Sequence, residues 1–593
     1  MMLQALSEYA KRRTVEDETF FDPDFRWENA AWLIEISRCG KLLGLIPLTM
    51  KEGKKTIQKR IRRPFTDSNE ISVRSPGKVV SYFLCDTAER VLLYQAKKEP
   101  TSNSLVLERS RYFLESINKA AALGVAVDIL VPLAQFLASE SECEATRLRL
   151  TESKADPDHN IIFGVEGTDV ISHPEVVKYW RNQCQTKRGN SKPNRAVCLV
   201  TGKTSDCITT ANKIKGIGGQ DTILISANEM AFSSYGLDKA ENSPISIQSE
   251  EEVKAALDDL IQKSKKQGLV FDDTIHLHWT RNPIPIDIID WIAEPDPEGV
   301  RALIDSIKTG RTIYAFDAGA YYALSLSVNG ARIVVRDWLE TSVPNTEASI
   351  AQWFQDLAII DLDGLQTKID FSLWGLLSTL VPRKKGKPDF SRIAPQAATE
   401  LLHSAINGGP LPHTILLAAI RRQQLEPNKI YPARIALIKA CLLRSQNRNH
   451  TDSMKDKLDL ESKDIAYLCG QLFAVICRLQ LFALGKVSAS IAERTYGGVA
   501  TRPATTLSPL FTRLPAYYKK ANSKFPGSGT NKQKEIETLC VRIEALDGLP
   551  KVLRLEEQGR FALGYYCQLA QYRTDRAEAE AASIAETQDD ELL

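Results

Sequence analysis

Four groupings in this chain have residue types and spacing that could do chemistry. Gly202-Lys203-Thr204 follows the apolar run 196–200, as a phosphate-binding loop follows its strand. The full pattern needs a glycine five residues before Gly202, and Val197 stands there. That glycine lets backbone N–H groups curl around phosphates; valine opposes the turn, so nucleotide hydrolysis is not expected from this segment. Gly216-Ile217-Gly218-Gly219 is a glycine turn without the strand-to-helix setting of a dinucleotide site. His276 and His278 alternate on a strand-like run and share a face, which is half of a metal site. No acidic or histidine partner stands at ligand spacing, so a half-buried strand with outward histidines is expected. The fourth grouping is polar and basic. Residues 64–78 (PFTDSNEISVRSPGK) contain Asn69 and Ser75 and are bracketed by Arg62, Arg63, Arg74 and Lys78. Arginine and lysine neutralise phosphates, whereas Asn and Ser hydrogen-bond base edges in a groove. There is no HEXXH, no His-Asp dipeptide and no Ser or Cys nucleophile signature. The expectation is a binding protein without catalytic residues, metal or cofactor.

The charge distribution agrees. The net charge of +2 over 593 residues conceals local runs. Residues 51–63 (KEGKKTIQKRIRR) hold seven bases and one acid, residues 178–215 nine bases and one acid, and residues 383–392 five bases and one acid. Residues 574–593 carry seven acids and one arginine. Clustered bases on a nearly neutral chain point to local polyanion contacts. The 11 cysteines form no CxxC pair, so neither a disulfide framework nor a zinc ribbon is expected. The longest apolar candidate, 121–138, carries Asp128 and Pro132, and the first residues, MMLQALSEYAKRR, read as an amphipathic helix. A cytoplasmic protein without membrane partners is expected.

A chain of this length divides into about three or four domains. Up to residue 345, strand and helix signals alternate. Residues 32–35 and 42–47 predict an opening hairpin, 107–123 a helix, and 125–133 a buried strand. Further strands are expected at 196–200, 222–225 and 275–279, with a helix over 250–265. The acids at 294–298 cap a helix over 300–307. Residues 321–340 (YYALSLSVNGARIVVRDWLE) predict a hairpin turning at Asn329-Gly330 through a type I′ turn, with Leu324, Leu326 and Val328 facing inward against Ile333 and Val335. Helices are expected at 397–406, 414–423 and 433–444, then a polar linker at 445–457. Apolar spacing from Ile465 to Ala483 gives one helix face; further helices are expected near Thr506, Lys532 and Leu555, completing a four-helix module. The fold class is α+β: a mixed α/β region with β-hairpins (1–345), a helical region (346–450) and an all-helical carboxyl-terminal bundle (454–593).

Nine collinear pieces resemble the large subunit of the type I-C CRISPR surveillance complex (Cascade), the Csd/Cas-eight-c-type family. They are MLQALSEYAKR, RSPG (Arg74–Gly77) with YFLCDTAERVL, CLVTGK, KIKGIGG, ISANEMAFSSYGLDKAENSPIS, LSVNGARIVVRDW, ARIALIKACLLR, ATRPAT and FALGYY. The chain departs from the family pattern at Lys203 (usually Glu), Ala227 (often Phe) and Cys567 (often His).

The resemblance implies a non-catalytic subunit. It would read the protospacer-adjacent motif on double-stranded DNA and contact the 5′ handle of the CRISPR RNA. It would also stabilise the R-loop and recruit a separate helicase-nuclease, beside backbone, guide-processing and small subunits. The guide pairs with the target, so the protein reads only the short motif. Motif reading carries over to Arg74, Ser75 and Gly77, with Asn69 added for its polarity and Arg62, Arg63 and Lys78 as DNA-backbone contacts for their charge. Lys203, Lys213 and Lys215 are candidates for RNA or DNA backbone. In this family the terminal bundle is similar to a separate small subunit and can be made alone from an internal start. Met454, the only methionine after Met230, is a candidate start, with Val487 as a non-methionine alternative. Arg502, Arg513, Lys519 and Lys520, with Tyr517 and Tyr518, form a basic-aromatic set suited to holding the displaced strand. The competing reading is a metal-dependent nuclease or nucleotide hydrolase; a third is a structural RNA-binding protein unrelated to defence.

Overall fold

The computed structural model describes the chain except residues 18–19, 21, 23, 53–54, 66–78, 80, 96–103, 191–193, 219, 226–229, 233–234, 238, 272, 285–286, 310–318, 364–365, 395, 446–453 and 591–593. It gives the backbone alone at 50–52, 55–57, 104, 185, 187–190, 215, 220–221, 230, 307–308 and 577–590. The protein is α+β and divides into two compact units, one of residues 1–215 and 221–259, the other of 216–220 and 260–593.

The first unit is built on two sheets. Trp32–Ile36 pairs antiparallel with Leu42–Pro47, the expected hairpin, and parallel with Asn160–Val165. A parallel pair needs a long crossover, and the helices Ser104–Ala122, Val127–Ala138 and Glu140–Glu152 fall within it. Phe163 of the sheet packs on Phe113 and Phe136 of those helices. Residues 125–133 were expected as a strand and lie mostly within the Val127–Ala138 helix. A short apolar run does not by itself distinguish a buried strand from a buried helix. Ile129, Leu130, Leu133 and Phe136 are buried at helical spacing, and Pro132 is accommodated inside the helix. The second sheet orders Phe25–Ala30, Lys55–Pro64 and Thr49–Glu52, so the basic run at 51–63 is largely a hairpin.

In the second unit, Ala320–Asn329 lies between Arg332–Ser342 and Thr274–Thr280. The hairpin expected at 321–340 is present, but its turn differs. Asn329 pairs with Arg332, so Gly330 and Ala331 form the loop, and of these only Gly330 has a positive φ, +60°. Glycine at the first central position alone is the type II′ pattern, not type I′. The register shifts between Ser325 and Leu326, and Val335, expected inward, is 41% exposed. Ser342 caps the following helix, Val343–Leu357, which buries Trp353 and Phe354.

Among the described residues the carboxyl-terminal module has six helices, not four: Ile465–Leu484, Ile491–Thr501, Pro503–Phe511, Leu514–Lys524, Ser528–Glu544 and Leu555–Asp590. Prolines at 503 and 515 open new helices inside a stretch whose apolar spacing reads as continuous. Ile465–Leu484 is long and apolar enough to cross a membrane, more so than 121–138, but 72% of its apolar window is buried in the bundle core. Its main partner is the terminal helix. A Cβ on Gly470 would overlap the Phe561 carbonyl oxygen, and one on Gly564 would overlap the Tyr467 carbonyl oxygen. Backbones touch at this crossing, which only glycine permits. Gly470→Ala and Gly564→Ala are each expected to lower unfolding free energy by about 1–3 kcal/mol, the usual cost of overpacking. Gly497→Ala, on an open helix face, should be neutral or stabilising by up to ~1 kcal/mol. Chemical denaturation of the three variants checks this; equal effects would refute the crossing.

Candidate nucleic-acid interface

The loop expected to read DNA leaves and re-enters the first unit through a small aromatic anchor. Asn69, Arg74, Ser75, Gly77 and Lys78 lie outside the described residues, but both flanks of their segment are described. At the leading flank, the Phe65 N–H donates to the Asp24 carbonyl (2.9 Å), and the Arg26 guanidinium lies 3.5 Å over the Phe65 ring. At the trailing flank, Asp86 accepts from the Ser81 hydroxyl (2.8 Å) and the Tyr82 N–H (3.0 Å). Trp180, on the helix Pro174–Asn190, ties the two together. Its indole N–H donates to the carbonyls of Asp24 (2.8 Å) and Phe65 (3.1 Å), while its ring stacks on Phe83 at 5.2 Å and 8°. Sequence reading missed Trp180 because its partners at 24, 65 and 83 are remote in the chain. A buried tryptophan, which needs an acceptor for its N–H, was the available signal.

The adjoining arginines differ in availability. On the Lys55–Pro64 strand Arg63 shares the inward face with Ile61 and is 2% exposed. Its Nη2 donates to Glu28 (2.9 Å), and its guanidinium lies 3.6 Å over Tyr82. Expected as a backbone-phosphate contact, Arg63 is placed in the core, where it joins the strand to the trailing flank. Arg62 faces the other way. It pairs with Asp22, which Arg181 also contacts at 2.8 Å, and its guanidinium lies over the Phe25 ring. Its side chain is 30% exposed, so it borders solvent.

Gly202-Lys203-Thr204 lies on a hairpin between Arg195–Val197 and Thr204–Asp206, not at a strand-to-helix junction. The Gly202 N–H donates to Cys198 O (2.8 Å) and the Cys198 N–H to Lys203 O (3.0 Å), leaving the Lys203 side chain exposed at the tip. The buried Cys198 Sγ accepts from the Ser246 N–H at 3.2 Å. Burial pushes the thiol up, but donors from Ser246 and Thr201 outweigh it and bring the thiol down to about 6. Lys213 is exposed on the separate strand Lys213–Ile217. The Lys215 side chain lies outside the described residues.

The two histidines of the Thr274–Thr280 strand do share a face, but they are buried, not outward. His276 Nδ1 hydrogen-bonds Ser325 Oγ (2.8 Å), and His278 Nε2 meets Asp287 (2.9 Å), which Lys263 also approaches at 2.8 Å. Burial lowers the His276 pKa to about 4. Burial raises the Asp287 carboxyl, but His278 and Lys263 outweigh it and hold the group well below the usual range. The acidic partner missed in the sequence is therefore Asp287, supplied by another element. Among the described residues no group of three or more His, Cys, Asp or Glu is placed to hold a metal ion.

On the bundle, Lys519 and Lys520 line an open groove of about 610 Å³. Its floor is Ala483, Leu484 and Ala516, and Lys524, absent from the sequence-derived set, completes the basic wall. Arg513, Tyr517, Lys520 and Lys524 fall on one stripe of the Leu514–Lys524 helix, since residues four, seven and eleven apart share a face. Tyr517 and Tyr518 are half-buried against the bundle core, and burial with nearby Glu537 pushes Tyr518 up to about 12. Arg502 is exposed between the second and third helices of the module.

The family model described as CRISPR-associated protein (Cas_Csd1) matches residues 6–573. The chain belongs to this family, the large subunit of type I-C Cascade. As such it works in a complex with other Cas subunits and CRISPR RNA. No curated protein matches the chain.

Trp180→Phe keeps a ring against Phe83 but removes the N–H. It should cost about 1 kcal/mol of stability and weaken binding of the assembled complex to target duplex about fivefold. Equilibrium duplex binding is the measurement. Unchanged affinity would show that loop geometry does not depend on the indole.

Proposed function

We propose that this subunit reads the protospacer-adjacent motif through the loop between Phe65 and Ser81, opens the duplex, contacts the CRISPR RNA 5′ handle and steadies the displaced strand on the bundle. It then presents a surface to the helicase-nuclease and breaks no covalent bond itself. The observation that carries this reading is the Trp180 anchor, which joins both flanks of a polar, basic segment to a rigid sheet. Binding loops held by rigid scaffolds are the common arrangement for recognition. Direct readout falls to Arg74, Ser75 and Asn69 with Gly77 shaping the turn, and phosphate neutralisation to Arg62 and Lys78. A cytoplasmic location accompanies this role. The hairpin at Gly202-Lys203-Thr204 removes the main sequence argument for a nucleotide hydrolase.

Replacing Arg74 and Ser75 together by Ala should abolish motif-dependent duplex binding by the purified complex while guide assembly survives. Arg62→Ala should instead weaken binding to all duplexes and reduce the salt slope by about one unit. Binding unchanged in the double variant would refute the loop assignment. Sustained metal-dependent cleavage or ATP turnover without the helicase-nuclease would favour an enzyme.

The bundle is also proposed to be made separately from Met454. Met454 and Leu458 are half-buried against the unit's core, and Tyr467, Leu563, Tyr566 and Ala570 turn toward that same core. A free bundle uncovers this face and needs a protein partner for it. Met454→Ala should remove a short carboxyl-terminal product spanning residues 454–593, visible by mass spectrometry of a tagged chain. Persistence of a product beginning at Val487 would sink the assignment.

A further inference from the structure

The third basic run, 383–392, belongs to neither the motif loop nor the bundle; it folds in the second unit as a small hairpin. Arg383–Lys384 pairs antiparallel with Lys387–Pro388, so the tip is Lys385-Gly386. Both tip residues have positive φ, +50° and +80°, the pattern of a type I′ turn. The base is well fixed. The Asp389 N–H donates to the Pro382 carbonyl (2.8 Å), and Arg383 Nη1 to the Gly386 carbonyl (3.1 Å). The Arg383 guanidinium lies 4.6 Å over the Tyr431 ring. Phe390 meets Trp374 edge-on at 4.9 Å, and the Trp374 indole N–H donates to the Gly268 carbonyl (3.2 Å).

Stability does not account for the residues at the tip. Lys384 stands directly opposite Lys387, and like charges opposed across a ladder repel. The first left-handed position of such a turn ordinarily holds Asn, Asp or Gly, and here it holds Lys385. All three lysines are exposed, and among the described residues none of them forms an ion pair. Asp389, the one acid of the segment, is engaged at the base by the Ser391 hydroxyl (2.6 Å) and by Arg392 (3.8 Å), and Lys384 acts on it only through space.

We propose that this hairpin is a further contact for the target duplex, with Lys384, Lys385 and Lys387 neutralising phosphates of its backbone. The ligand is B-form DNA, whose axis carries one negative charge per about 1.7 Å. A two-stranded ribbon is narrow enough to approach a groove about 12 Å wide. The tip has no aromatic ring on which a base could stack, which separates it from a single-strand site. It has no Asn or Gln to read a base edge, so the contact is independent of sequence. This site rests on the proposed duplex binding of the subunit and adds residues outside the 66–80 segment.

The test uses the assembled complex carrying Lys384→Gln, Lys385→Gln and Lys387→Gln together. Duplex affinity is measured from about 50 to 200 mM salt. The slope of log affinity against log salt should fall by about 2–3 units, with affinity at least about tenfold weaker. The loss should be equal on duplexes with and without the motif, so motif preference is retained. Guide RNA content and single-strand affinity should not change, and Arg at all three positions should restore the slope. An unchanged slope overturns the proposal. Loss of guide RNA or of another subunit overturns it too, since the hairpin then serves RNA or an acidic protein face. The variant with Arg74 and Ser75 replaced by Ala separates the two readings in the same assay. If it loses duplex binding while the lysine variant keeps its slope, the hairpin assignment alone fails; if neither variant changes, the duplex-binding reading fails with it.

Discussion

The crossing at Gly470 and Gly564 fixes the carboxyl-terminal module. Glycine in a helix interior costs backbone entropy, roughly 0.5–1 kcal/mol relative to alanine. Here that cost is offset by contact that a side chain would prevent. With the two backbones this close, Phe473, Tyr496, Phe561 and Tyr565 close around the crossing as an aromatic cluster with ring centroids 5.2–6.1 Å apart. The same proximity brings Tyr566 near enough to donate to the Ile360 carbonyl (2.6 Å), and Arg573 to donate to Leu362 O (3.0 Å). Bundle core and the earlier helical region thereby share side chains. Phe482, on the same central helix, then packs on Phe525 and aligns the groove wall.

Positive charge on this protein has two separate uses, and burial decides which. Arg63 and Arg434 are among the largest fully buried side chains. Arg434 has Glu426 at 3.0 Å, and burial lowers its pKa. Arg444 is similarly enclosed, held by Asp356 at 2.7 Å and by the Ser404 carbonyl. Removing one partner from such a pair leaves an uncompensated buried charge. Lys519, Lys520 and Lys524 are exposed along one groove, with no such buried pair among the described residues. Basic runs in the sequence mix the two uses: Arg62 and Arg63 are neighbours with opposite orientations because strand side chains alternate.

What was legible in the sequence was local. The 320–342 hairpin announced itself through alternation around Asn329-Gly330; the turn type escaped because Asn329 pairs rather than turns, and the register shift at Ser325 and Leu326, with Val335 exposed where it was expected inward, escaped as well. The helices over 397–444 followed from apolar spacing. Where one apolar run satisfied two periods, as at 127–138, local pattern failed and tertiary burial decided. Trp180, Asp287 and the glycine pair were invisible for a different reason: each acts on partners far along the chain. Lys524 was within reach, four residues beyond Lys520 on the same face. The nine family segments conveyed the assembly the chain serves, which no single motif could.

The indole that holds both flanks of the 66–80 segment has an evolutionary consequence. Since both flanks are held by the same indole, the length between them is weakly constrained by stability; each doubling of a loop's length costs only about 0.6 kcal/mol. New sequences there need not respect the packing of either sheet. A lineage could thus exchange the residues between these two flanks while inheriting the scaffold intact, much as interchangeable bits fit one handle.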